Sequence, residues 1–438
     1  MVRRQLLLTV AFGSTASLST SAQSAPRSVT LAEAIALSHQ ADPNVIRAQG
    51  DTRNAAADTR LRYGAFLPLV QASAGGGRSF SEFQRVDPRT GQLVGANSTT
   101  NSVNLQVAAQ VDVFTGFRRG AELSASKADA DRADAALDAQ KWQTALATSN
   151  LFFDALQANE LVRVRRDGIR RSEEQLAVAV ARLATRGSTI SDSLQSVVAV
   201  SQARLQLLNQ QSALVQAEAL LARAIGADGR VSPIDDSSLA IRPTPLDTAA
   251  FLAEARQRSP GVAQAEAAVR AAKASLSAAK SGYFPQVTLG ASTSYGGNDV
   301  DPSNRYHLFN NRNLGISVSL PLFNGFQREQ TMVNRSVALD EARANAADAR
   351  RQVESKLIGA MAGLETAGER VTVAQAALSA AQANARVQLE RYRLGTIQIE
   401  QLVQAEDRLS QAEEGAVTAR FDYLRAKAQI EALIGRTL

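Results

Sequence analysis

The chain has 438 residues, a formal charge of +6 and no cysteine, which excludes disulfides, thiolate metal sites, a cysteine nucleophile and a lipidated N-terminal cysteine. Apolar residues make up 45% but aromatics only 5%, and much of that apolar share is alanine, which favours long helices over a bulky core. His39 and His307 are the only histidines, so histidine catalysis and zinc binding are thinly supplied, and the mild, dispersed charge predicts no nucleic-acid partner.

Taken in order, the chain opens on Arg3 and Arg4, the apolar run QLLLTVAF and the small-residue stretch STASLSTSAQSA. This pattern predicts an export signal over 1–24. A membrane-anchoring helix is the alternative, but the run is shorter than the ~20 apolar residues a spanning helix needs. A first unit over 25–226 then predicts a helix, strands at about 68–78 and 102–113, a long helix over 118–186 and a returning helix over 190–225. The segment 227–247 joins it to a second unit over 248–438, and with SVTLAEAIALSHQ is expected to form a belt partway along the helices. The second unit repeats the plan, with strands at about 285–295 and 312–322, a long helix over 326–394 and a returning helix over 398–434. Residues 79–101 and 296–311 are expected as loops.

The two units echo each other in sequence. Pro43 and Pro68 recur as Pro260 and Pro285 at a spacing of 217, and Phe114 and Gly116 recur as Phe323 and Gly325 at a spacing of 209. The turn at Gly187 is set against that at Gly395. The long helices contain no proline, and at 1.5 Å per residue each of these runs of nearly seventy residues spans about 100 Å.

The strands alternate strictly. Val103, Leu105, Val107, Ala109, Val111 and Val113 share one face, with Asn104, Gln106, Gln110 and Asp112 on the other. Val70, Ala72 and Ala74 oppose Gln71 and Ser73; Val287 and Leu289 oppose Gln286 and Thr288; Ile316 and Val318 oppose Ser317. Such alternation fits a sheet on a soluble core or, at about ten residues per strand, membrane-spanning strands. Phe66, Phe114, Phe117, Tyr283, Phe284, Phe323 and Phe326 cluster at the helix-facing end of the strands, and Phe80, Phe83, Tyr295, Tyr306 and Phe309 near the other. Two aromatic bands mark the two interfaces of a bilayer. By parity Asn104, Gln106, Gln110, Gln286 and Ser317 would then line a lumen. Four strands cannot close a barrel, and an open edge in hydrocarbon costs several kcal/mol per unpaired group. The barrel must be shared, with two copies giving eight strands and three giving twelve.

The duplicated plan, the paired VFTGF and LFNGF turns and the Tyr-x-x-Gly element of RYRLGTIQIEQLVQAE resemble the TolC family of outer-membrane efflux and secretion proteins over nearly the whole mature chain. The resemblance implies a membrane α+β fold: a transmembrane β-barrel of four strands per chain, twelve in a homotrimer, continued by a periplasmic α-helical coiled-coil tunnel. It also implies a passive exit duct working with a periplasmic adaptor and an inner-membrane pump of RND, ABC or MFS type, in contact with outer-membrane lipid. No chemistry, cofactor or metal is implied. The LFNGF style and the unlipidated start lean toward a type I secretion or general-purpose channel. The family's functional residues lie at the periplasmic tip, here the turns 182–194 and 391–404, with Gly187, Tyr392 and Gly395 marking the reversals. The family's gate arginine falls on Ile397, its entrance aspartates on Gln401 and Gln404, and its first-half gate acid on Ser193, next to Asp192. Glu400 and Asp192 would either supply a displaced acidic ring or simply complement helix N-termini. The competing readings are a secreted coiled-coil scaffold or adhesin, and an enzyme. Carboxylates on solvated helix faces without convergent metal-ligand spacing argue against the latter.

Overall fold

The computed structural model describes residues 27–236, 239, 241, 248–299 and 308–438. The expected export signal, Tyr306, His307 and parts of the segments 227–247 and 296–311 lie outside the described residues.

The first helices are written into local sequence. In α1 (Leu31–Ala41) the Thr30 side chain caps the N-terminus by accepting from Glu33 N–H, and Asp42 does the same for Asn44 N–H at the start of α2 (Pro43–Gly64). Pro43 at the first helical position needs no N–H partner there. A short strand β1 (Arg27–Val29) ahead of α1 pairs in parallel with β4 (Val231–Pro233).

The sheet is antiparallel, in the order β2 (Leu69–Val86), β3 (Leu93–Thr115), β5 (Gln286–Asp299), β6 (Phe309–Ser319). One expectation is overturned here. Most of 79–101 is strand, because the β2–β3 ladder continues without a break to the pair Val86–Leu93. The connection is tight: Asp87 N–H donates to Gln92 O at 2.9 Å, Gly91 N–H donates to Asp87 O at 2.8 Å, and Gly91 holds φ 64°. Phe80, Phe83, Val86, Leu93 and Val94 carry strand propensity past the apolar band, and Asp-Pro-Arg-Thr-Gly supplies the turn. The hairpin therefore stands beyond the end of the β3–β5 ladder at Asn101–Asp299. β6 stops at Ser319, two residues before Pro321, which has no N–H for a ladder.

α3 (Arg118–Ala184) and α7 (Gln327–Arg393) have 67 residues each, about 100 Å apiece. α4 (Ile190–Ala224) returns along α3, and α8 (Ile399–Ile434) along α7. The half of each long helix nearer the sheet is covered instead by α2 and by α6 (Pro260–Ala279), while α5 (Thr248–Arg258) packs on α7. The main core lies midway, where Phe152, Leu156, Leu221, Leu357, Leu364, Phe421 and Ile430 meet Val29 of β1 and Val231 of β4. Below it α3 and α8 are joined by charge. Arg171 reaches Glu406 at 3.0 Å and Glu413 at 2.8 Å, and Arg165 reaches Glu414 at 2.7 Å. No helix among the described residues is long and apolar enough to cross a membrane.

One buried acid makes a prediction. Glu218 on α4 is 6% exposed, and burial raises its pKa against the partial opposition of Arg230, 3.7 Å away. A raised carboxyl binds its proton more readily folded than unfolded, so its contribution is most favourable below its unfolded pKa and declines as pH rises through the folded value. Glu218→Gln is expected to raise the melting temperature by ~1–3 °C at neutral pH, with the gain vanishing near pH 4. Paired thermal scans at the two pH values measure this; an equal shift at both would refute it.

Candidate functional site

Two regions hold the candidate functional residues, the sheet with its turns and the far helical tip. In the sheet, the observed register puts Asn104, Gln106, Gln110 and Asp112 on one face with Thr288 and Ser317, and Gln286 falls on that face two residues before Thr288. Thr288 Oγ1 donates to Asp112 at 3.0 Å. This polar side is concave, with Gln106, Gln110, Ser292, Asn313 and Ser317 among the residues lining the hollow. The opposite face exposes Val70, Val107, Leu289, Leu314, Ile316 and Val318, three of them by 69% or more. An uncovered apolar face of this size belongs against lipid or a partner. β3 carries apolar residues outward from Val103 to Val113; eleven residues span about 37 Å along a strand, or ~28 Å at a tilt near 40°.

The strand-to-helix turns sit at the base of that band. Phe114 and Phe117 meet edge to face at 5.3 Å, Phe117 and Phe284 at 5.7 Å, and Phe323 and Phe326 at 5.5 Å. Arg119 stacks on Phe66 at 4.9 Å and donates to the Ala65 and Val113 carbonyls. Arg328 repeats this, stacking on Tyr283 at 4.9 Å and donating to the Pro321 and Leu322 carbonyls. Each arginine thus ties the first turn of a long helix to the chain that has just left the sheet. Sequence reading found the aromatics and missed both braces. A basic residue two positions after each Gly-Phe pair was the available signal.

At the tip, α3 and α7 end alike, but not at the glycines first paired. Arg186 at φ 60° and Gly395 at φ 77° hold the equivalent left-handed positions, 209 residues apart. The same spacing separates Phe117 from Phe326, both also left-handed. Gly187 therefore corresponds to Thr396, and its own φ is not left-handed. Thr396 N–H donates to Arg391 O, and Gly187 N–H to Arg182 O, each closing its helix end.

Arg182 holds the two reversals together. Its guanidinium donates to Tyr392 O at 2.8 Å and to Gly187 O at 2.6 Å, and lies 4.5 Å from the Tyr392 ring centre. Tyr392 is fully buried among Ala179, Ile399 and Leu402, and its hydroxyl has no hydrogen-bond partner among the described residues. Burial, reinforced by the negative charge of Asp192 and opposed by Arg182, raises the Tyr392 pKa. Asp192 is engaged locally, accepting from Thr189 Oγ1 at 2.7 Å while Thr189 caps α4. Glu400, Gln401 and Gln404 are exposed on the first turns of α8. Ile397 packs beside the Tyr392 cluster. Arg182 was not singled out from sequence, because its partners are backbone carbonyls, one of them on a turn 210 residues away.

A sheet with one apolar and one polar face, continued by helices of about 100 Å, is the architecture of solved outer-membrane channels. Solved structures with this fold include CusC, at a TM-score of 0.77 and 17% identity over 93% of this chain and 92% of that one. The Campylobacter jejuni CmeC outer membrane channel superposes with a TM-score of 0.74 and 15% identity over 92% of this chain and 85% of its own. Residues 34–227 and 251–436 match the family described as outer membrane efflux protein, and the chain belongs to that family. The pyoverdine export outer membrane protein OpmQ of Pseudomonas aeruginosa is 26% identical over 401 residues, 87% of this chain and 80% of the relative. Outer membrane protein TolC of Vibrio cholerae is 23% identical over 384 residues, 85% of this chain and 82% of the relative. The protein is thus an outer-membrane channel with a periplasmic helical extension, and its role is transport rather than catalysis.

Proposed function

We propose that three copies share one twelve-stranded barrel and form the exit duct of a tripartite efflux or type I secretion system. The duct passively conducts cargo delivered by an inner-membrane pump through a periplasmic adaptor. The observation that carries the reading is the sheet itself. Among the described residues its outer strands β2 and β6 have free edges, its outward face is apolar and its concave face polar. In hydrocarbon such edges must pair, and a neighbouring copy offers the matching β6 or β2. The recurring element order and the 209-residue spacing of the left-handed positions support two tandem units that give the assembled helices a second layer of symmetry. The segment 1–24 supplies export. Kinship with pyoverdine exporters favours small organic molecules as cargo.

The tip is the gate of this duct. Arg182 ties the α3–α4 reversal to the α7–α8 reversal over the buried Tyr392, and releasing it frees the two reversals to move apart. Gly187, Asp192, Gly395, Glu400, Gln401 and Gln404 shape and line the entrance around that tie. The first test is the native mass of protein extracted in detergent from outer membranes, followed by conductance in a planar bilayer. Trimers with a small closed-state conductance are expected. A monomer that stays in solution without detergent would replace the duct with a secreted coiled-coil scaffold.

A further inference from the structure

The apolar outward face of the sheet ends at two arginines. On β2 the outward positions run Val70, Ala72, Ala74, Gly76 and then Arg78; on β6 they run Val318, Ile316, Leu314 and then Arg312. Both arginines are exposed, and neither takes part in an ion pair among the described residues. Arg78 lies over the Phe80 ring at 5.4 Å. Tyr295, on the same outward face of β5, adds a second aromatic near this level.

Within one chain the two arginines are on opposite edges of the sheet, and Arg312 is level across the ladders with Ala72 rather than with Arg78. Closure of the barrel changes this. We take β6 of one copy to pair with β2 of the next with the two strand bases, Leu69 of β2 and Ser319 of β6, at one aromatic boundary. Arg78 is nine residues above the first and Arg312 seven above the second, so the two sit within about 7 Å of each other along the seam. Cross-strand neighbours of like charge destabilise a sheet. Glu82, the acid on the outward face of β2, is about 14 Å farther out than Arg78, and Asp299 stands at the register position of Asn101, two strands from Arg78 within its own copy.

We propose that each seam of the closed barrel is a binding site for the phosphate of an outer-leaflet lipid, formed by Arg78 of one copy and Arg312 of the next. The inference rests on the shared-barrel reading above. Two guanidinium forks at the upper edge of the hydrophobic band match the geometry of a phosphate held at headgroup depth. The bound anion removes the repulsion that the seam otherwise carries, and the acyl chains lie on the apolar face below. Lipid binding then favours the closed trimer, because the site exists only across two copies.

The test is native mass spectrometry of the detergent-extracted protein with bis-phosphorylated lipid A, the same lipid with both phosphates removed, or inorganic phosphate. Wild-type trimers are expected to retain up to three lipid A molecules and to bind the dephosphorylated lipid at least tenfold more weakly. Arg78→Gln with Arg312→Gln should lose that preference while remaining trimeric, and the double lysine variant should restore part of it. Equal retention by wild type and glutamine variant as intact trimers would overturn the site and leave the duct standing. Binding of inorganic phosphate without any preference for the phosphorylated lipid would also overturn it. A wild-type protein that is not trimeric would remove the duct reading and the seam together.

Discussion

Arg182→Ala is expected to raise the open probability of the purified channel roughly tenfold, without loss of trimer. The side chain makes two charge-assisted bonds to carbonyls of different helix reversals, at 2.8 and 2.6 Å. Bonds of this kind contribute about 1.5–3 kcal/mol when shielded, and less where solvent screens them. Arg182 is half-buried, so a combined loss of about 1.5–2 kcal/mol is the appropriate scale, and that shifts a closed–open equilibrium by a factor of ten or more. Arg182→Lys should be intermediate, because a lysine ammonium cannot fork to two carbonyls and stack on Tyr392 at once. Arg186→Gly supplies a contrast at the same turn. It relieves a left-handed φ of 60° and should stabilise the turn by up to ~1 kcal/mol with little change in open probability. If Arg182→Ala trimers conduct like wild type, the tie between the reversals is structural only.

The largest effect on folding is expected at Gly116. Both Gly116 and Gly325 occupy left-handed turns between sheet and long helix, at φ 61° and 64°. They differ in what surrounds them. A Cβ on Gly116 would overlap Phe284 Cβ and lie 2.8 Å from the Ser281 carbonyl oxygen, whereas a Cβ on Gly325 meets nothing within 4 Å. Gly325→Ala should therefore cost only the left-handed penalty of about 1–2 kcal/mol. Gly116→Ala adds backbone displacement beneath the aromatic band, so a severe loss of folded trimer in the outer membrane is expected. Trimer recovered per cell, compared for the two variants, is the measurement. Equal recovery would show that Phe284 and Ser281 yield readily.

Much of this was legible before any coordinates. Alternation told which strand residues face water, because side chains on a strand project to opposite sides at every step. The proline-free, alanine-rich runs told that the helices are long, and the two Gly-Phe turns told where they begin. The hairpin beyond Gly77 was misread, because its mixed polar residues resemble a loop. It is strand because the β2–β3 ladder continues and a tight Asp87–Gln92 turn closes it. The tip was half legible. Tyr392 and Gly395 stand out as local signals, but the glycine at 187 drew attention from Arg186, the residue that turns left-handed.

By itself the sequence determined the periodicities, the two-faced strands, the helix lengths and the places where the backbone must reverse, since each depends on residues within a turn or two of one another. The tertiary structure alone decided what meets across the chain. Arg182 finds the Tyr392 carbonyl, and β3 takes β5 as its neighbour. Those contacts join segments up to 210 residues apart. They depend on how long helices and a twisted sheet pack as solid bodies, which no local pattern encodes.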